Sequence, residues 1–104
     1  IKRQIVSGEL KEGEKLLSVR ELSTKLKVNP NTIQRSYQEL ERQSLVFTQR
    51  GMGTFLTEDK KVIDKLTRDM AADLINQFIE NMRSLGFTSQ NIIQLVKEKV
   101  GEGN

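Results

Sequence analysis

Lys27-Val28-Asn29-Pro30-Asn31-Thr32-Ile33-Gln34-Arg35 decides how this chain is read. Asn29 suits a helix N-cap, and Pro30 behind it sits where a missing N–H costs nothing and φ is already helical. Ile33, Tyr37 and Leu40 then recur at helical spacing and give one stripe to bury. The opposite face carries Asn31, Thr32, Gln34, Arg35, Gln38 and Arg42. These are amides, a hydroxyl and guanidinium forks, the groups that match base edges and phosphate oxygens. Upstream, Ser18-Val19-Arg20-Glu21 reads as a capping box. It opens a helix with apolar Leu22 and Leu26, so helices are predicted over about 18–26 and 30–42. Two short helices joined by a tight turn, the second polar on its free face, make a helix-turn-helix.

Beyond Gln43-Ser44 the texture becomes β-prone. Leu45-Val46-Phe47-Thr48 and Gly53-Thr54-Phe55-Leu56-Thr57 are short runs joined by Gln49-Arg50-Gly51-Met52, which predicts a hairpin. Arg50 marks its tip, and Gly51 and Gly53 let the main chain approach another backbone closely. At the other end, Ile1, Ile5 and Val6 read as the apolar side of a helix expected to begin upstream, stopped by Ser7-Gly8. A glycine-flanked loop follows, with Leu10 turned toward the core. Three helices and a hairpin make a winged helix over residues 1–57. Tyr37 is expected in its core rather than as a stacking platform.

Residues 58–104 read as an α-helical hairpin. Thr57 is placed to cap a helix of about 27 residues, with Glu58 and Asp59 favourable in its first turn. Leu66, Met70, Leu74, Phe78 and Met82 form one stripe, and Ile75 and Ile79 widen it. Gly86 is a helix stop. Phe87 and Ile92 flank a Thr88 cap as a hydrophobic staple, and a second helix carries Ile93, Val96 and Val100. Neither helix can hide so much apolar surface alone. The stripe Leu66, Met70, Leu74, Ile75, Phe78, Ile79 and Met82 is therefore expected to pack, either within the chain or as a homodimer seam, for which it is the best candidate.

Composition removes whole classes of function. The 104 residues are one domain, or a small domain with an appendage. They contain no cysteine and no histidine. That excludes disulfides, thiolate nucleophiles, Cys-based zinc sites and the commonest general base. Asp64, Asp69, Asp73 and Glu80 are interspersed with Lys65 and Arg68, as on a solvated helix face, so no catalytic residue, cofactor or metal is expected. Gly51-Met52-Gly53 is too short to cradle a nucleotide phosphate. No run approaches the ~20 apolar residues of a membrane span, so a soluble cytoplasmic protein with no membrane partner is expected. The net charge of +3 is divided unevenly. Residues 1–57 hold ten Lys/Arg against six Glu, and residues 58–104 hold seven against eight acids. The basic excess lies in the half with the helix-turn-helix, as phosphate binding requires.

Gly8-x-Leu10-x-x-Gly13-x-x-Leu16, Ser18-x-Arg20-Glu21-Leu22, Val28-Asn29-Pro30-Asn31-Thr32, Leu40-Glu41 and Gly51-x-Gly53-Thr54-Phe55 stand in an order and at spacings that resemble GntR-family transcriptional regulators. The resemblance covers about residues 1–57. Val-Asn-Pro-Asn-Thr with a short two-helix tail is similar to the YtrA subfamily. It implies a mainly α fold with a small β-hairpin, a winged helix-turn-helix followed by a two-helix dimerisation tail. It also implies a bacterial dimer on a palindromic double-stranded DNA operator, usually repressing a transporter or envelope-stress operon. By position it assigns DNA contact to Arg20, Asn29, Asn31 and Thr32, and to Arg50 and Gly51 at the wing tip; the polar helix face adds Gln34, Arg35 and Gln38 as candidates, with Ser18 and Gly53 beside them. Two departures set this chain apart. Asn-Pro-Asn stands where many members have Ser/Thr-Arg, and Gln34 replaces another frequent arginine, with Arg35 one residue later. Leu17 replaces the usual proline, an exchange expected to affect only the loop.

A winged helix can also serve protein or RNA contact. Its reading face should then show Leu, Trp or Phe, whereas this one is rich in amides. The tail is short for a metabolite domain, which leaves a cleft at a dimer interface as the place for an effector, and no effector is assigned.

Overall fold

In the computed structural model, which describes residues 1–103, the chain forms five helices and one hairpin. The order is α1 (Lys2–Ser7), α2 (Val19–Leu26), α3 (Pro30–Arg42), β1 (Val46–Gln49), β2 (Gly53–Leu56), α4 (Lys60–Ser84) and α5 (Ser89–Glu102). It divides into two compact units, the first of residues 1–67 and the second beginning at Arg68. The first unit thus runs past Thr57 into the opening turns of α4.

In the first unit the expected caps are present. The Glu21 amide donates to Ser18 Oγ at 3.1 Å and the Ser18 amide to Glu21 Oε1 at 3.0 Å, closing the capping box. The turn into α3 is held by Ser23, whose hydroxyl donates to the Val28 carbonyl at 2.6 Å, while Lys27 takes a left-handed φ of 56°. Asn29 Oδ1 accepts from the Asn31 amide at 2.8 Å. At its far end α3 closes in a Schellman motif. The Leu45 amide reaches the Leu40 carbonyl and the Ser44 amide the Glu41 carbonyl. Ser44 holds the left-handed position, φ 62°, that glycine usually fills. Ile33, Tyr37 and Leu40 are buried as one stripe, and the Tyr37 hydroxyl donates to the Leu17 carbonyl at 2.6 Å.

β1 and β2 pair antiparallel, Val46 opposite Leu56 and Gln49 opposite Gly53. Gly51, φ 79°, supplies the positive φ that a tight turn needs while the Met52 amide donates to the Gln49 carbonyl. Residues 13–16 run along the outer edge of β2. The Leu16 amide donates to Thr54, and the Leu56 amide to Glu14, at 2.8 and 2.9 Å. An antiparallel bridge there sets Lys15 opposite Phe55.

One expectation is corrected. Thr57 does not cap α4. It is buried, its amide donates to the Leu45 carbonyl, and its hydroxyl accepts from the Asp59 amide. The cap falls on Asp59, whose Oδ1 accepts from the Lys61 amide at 2.9 Å, so α4 starts two residues beyond Glu58. Leu66, one of the stripe residues, is buried within the protomer.

The second unit is a helical hairpin. α4 ends in another Schellman motif, with Gly86 at φ 90° and the Phe87 amide on the Met82 carbonyl. Thr88 caps α5 by accepting from the Asn91 amide at 3.2 Å. Ile92, at the staple position, is buried. Leu74, Ile75, Phe78, Ile93, Val96 and Val100 are exposed, while Met70, Ile79 and Met82 are half-buried. Among the described residues no helix is long and apolar enough to cross a membrane.

Candidate nucleic-acid interface

Helix α3 buries every third or fourth side chain, which forces the rest of its surface outward. Asn31, Thr32, Gln34, Arg35 and Gln38 are all exposed. Their freedom differs. Asn29 and Ser18 spend a side-chain oxygen on a helix N-terminus, so their first duty is to aim the helices. The Thr32 carbonyl accepts from the Ser36 hydroxyl, leaving its own hydroxyl outward. Arg20, Arg35 and Arg50 are exposed and form no ion pair among the described residues. Arg42 is different. Its guanidinium is held by Glu39, with Nε donating to Oε2 at 2.9 Å, and Gln43 donates to the same carboxylate. The hydrogen bond from Arg42 holds the Glu39 carboxyl below its ordinary range, and the carboxylate in turn raises Arg42. Arg42 therefore closes the end of α3, while Arg35 is free to meet a ligand.

A groove runs between α3 and the wing, lined by Gln34, Gln38, Glu41, Arg42 and Thr48. Glu41 accepts from the Thr48 hydroxyl at 3.2 Å, and Thr48 lies 3.3 Å from the Thr54 hydroxyl across the hairpin. This chain of contacts ties the helix to both wing strands. Periodicity could not have found it, because Glu41 and Thr48 meet only once the chain has turned from helix to strand. The wing presents Arg50 and Gly51 at its exposed tip, and Gly53 starts its return strand. Phe47 and Phe55 stack at 5.7 Å between centroids behind it.

Behind the loop that enters α2, burial pushes the Tyr37 hydroxyl upward in pKa, which keeps it a donor to Leu17. The Glu21 carboxyl is lowered, first by the Ser18 amide, then by its hydroxyl, with Lys15 adding attraction. Among the described residues no group of His, Cys, Asp and Glu could hold a metal ion.

A capped helix pair, an outward face of amides and unpaired guanidinium, and a hairpin tipped by arginine define a winged helix-turn-helix protein of the DNA-binding class. Residues 1–56 match the family described as "Bacterial regulatory proteins, gntR family", and the chain belongs to that family of DNA-binding transcriptional regulators. It is 42% identical over 94 residues to the HTH-type transcriptional regulator YhcF of Bacillus subtilis (strain 168), covering 90% of this chain and 78% of the relative. It is 37% identical over 101 residues to the HTH-type transcriptional repressor YtrA of the same organism, covering 94% of this chain and 76% of the relative. Among solved structures, a GntR family transcriptional regulator from Listeria monocytogenes matches with a TM-score of 0.83 at 50% identity. That match covers 93% of this chain and 85% of the other. The family and these relatives are regulators of transcription, not enzymes.

Proposed function

We propose that this chain is a homodimeric, cytoplasmic repressor that reads a palindromic operator, most simply one controlling a transporter or envelope operon. The observation that carries the reading is the exposed, unpaired Arg35 beside Gln34 and Gln38 on α3, with Arg50 on a wing hydrogen-bonded to the same helix. A helix so furnished fits the major groove, where a good side-chain pair to a base is worth ~1–3 kcal/mol. Asn31 and Thr32 stand at its N-terminus for bases or phosphates, and Arg20 opens α2 for a phosphate. Repression is supported by the relative YtrA, an HTH-type transcriptional repressor.

One recognition helix reads only a few base pairs, and a single small module seldom reaches regulatory affinity. Two-fold pairing would set two such helices on half-sites about one turn, or a multiple, apart. The exposed Leu74, Ile75 and Phe78, with half-buried Met70, Ile79 and Met82 beside them, are the residues assigned to the seam. The division of labour is thus winged helix for reading and tail for pairing.

The test starts by retaining a genomic fragment library on the protein and sequencing what is bound, which identifies the operator. Arg35→Ala and Gln34→Ala should then each weaken operator binding by roughly 1–3 kcal/mol while leaving the unfolding transition in place. Equal loss on operator and random duplex would reduce both residues to phosphate contacts. Retention of RNA or protein in place of duplex DNA would sink the operator reading itself.

A further inference from the structure

Lys15 belongs to neither helix of the helix-turn-helix, and its charge is the least expected feature of the wing. Its backbone bridges Phe55 on the outer edge of β2. Its side chain does not stay there. Cε lies 2.7 Å, and Nζ 3.5 Å, from where a Cβ on Gly53 would stand. Phe55 and Gly53 are two positions apart on one strand, so the stem runs along the strand toward the tip by roughly 7 Å. Gly53 sits next to the turn that carries Arg50 and Gly51. Because Gly53 lacks a side chain, the lysine stem can lie flat across it, and the ammonium is delivered to the base of the wing tip.

The ammonium has no ion-pair partner among the described residues. The acid that feels it is Glu21, but that carboxylate is already bound to the Ser18 amide. A lysine held extended, exposed and unpaired beside an arginine-tipped wing suits a strong acceptor from outside, and Lys is a point-charge donor to phosphate. We propose that Lys15 is a further DNA-backbone contact, its ammonium taking the phosphate between the wing and the N-terminus of α2. The inference rests on the DNA-binding reading and adds a residue that the helix-turn-helix pattern does not assign.

The experiment uses the full chain and a fluorescent 30-base-pair duplex of random sequence, with binding followed by anisotropy across a salt series. Lys15→Gln keeps the first two methylenes of the stem and a polar end, and removes the charge. If Lys15 neutralises one phosphate, the slope of log K against log salt should fall in magnitude by about 0.9, with several-fold weaker binding at low salt. Lys15→Arg should restore both, and Lys97→Gln, on α5, should change neither. A folding control by circular dichroism accompanies each variant. Loss of affinity through an unscreened Glu21 is separated by Lys15→Gln with Glu21→Gln, since glutamine preserves the capping box. A slope that stays reduced in the double variant supports direct contact, and one that returns to the wild-type value overturns it. An unchanged slope in Lys15→Gln alone, with the wild type binding normally, also overturns it. Failure of the wild type to bind duplex DNA at low salt would instead remove the DNA-binding reading, and this inference with it.

Discussion

The winged-helix unit and the tail treat apolar side chains in opposite ways. In the first, Leu45, Val46 and Leu56 are no more than 2% exposed, although the unit is small. In the second, Leu74, Ile75 and Phe78 are 61%, 56% and 40% exposed, and Ile92 is its only buried hydrophobic residue among those described. The helices of the two are equally well made, since both have hydrogen-bonded caps and glycine or serine stops. The difference lies in packing. Three helices, a hairpin and the edge segment at 13–16 surround one core in the first unit. Two helices alone have only each other. The lesson is that good local signals make a helix but do not make a finished surface.

The sharpest way to break the contrast is a cavity in each half. Leu56→Ala, at a fully buried site, should lower the free energy of unfolding by ~2–5 kcal/mol in a urea titration. Leu74→Ala, measured where the chain is monomeric, should shift it by no more than about 0.5 kcal/mol. A large loss at Leu74 would mean that the tail is already closed in the monomer.

Next in size is the effect on assembly. If the proposed seam holds the chain as a dimer, Phe78→Glu should yield monomer in analytical ultracentrifugation and abolish binding to the proposed operator, because each side chain buried there would contribute roughly 1.5–3 kcal/mol. A dimer that survives both Phe78→Glu and Leu74→Glu would move the interface elsewhere. Thermal melts should show the winged helix still folded in these variants.

Smaller changes should stay within the first unit. Tyr37→Phe removes the hydroxyl that holds the Leu17 carbonyl at 2.6 Å and should cost about 0.5–1.5 kcal/mol. If it costs nothing, the loop entering α2 is held by backbone pairing alone. The smallest effect is a gain. Ser44→Gly relieves a left-handed residue at the end of α3, φ 62°, and should stabilise by up to about 1 kcal/mol with no change in oligomeric state. A loss there would mean that the serine side chain matters more than its backbone strain.

Much of this architecture was legible in residue order, because its signals are local. Ser18 and Glu21, Asn29 and Pro30, and the spacing of Ile33, Tyr37 and Leu40 each act within one or two turns, so α2 and α3 start and stop as expected. The hairpin follows from two β-prone runs around Gly51, though β1 begins at Val46 rather than Leu45, whose amide is taken by Leu40. The exposed polar face of α3 follows too, since burying one stripe of a helix turns the others outward.

What tertiary structure decided concerns residues far apart in the chain. Thr57 is an acceptable N-cap in isolation, but its hydroxyl accepts from the Asp59 amide ahead of the helix, and capping passes to Asp59. Leu66 belongs to the periodic stripe of α4 and is nonetheless buried, within the unit of residues 1–67. Glu41 reaches Thr48, and Lys15 reaches Gly53, only after the strands have come alongside their neighbours. Periodicity states which face of an element is apolar and caps state where the element ends. Neither states which neighbour meets that face, because that is settled by long-range contacts whose partners leave no mark on the local pattern.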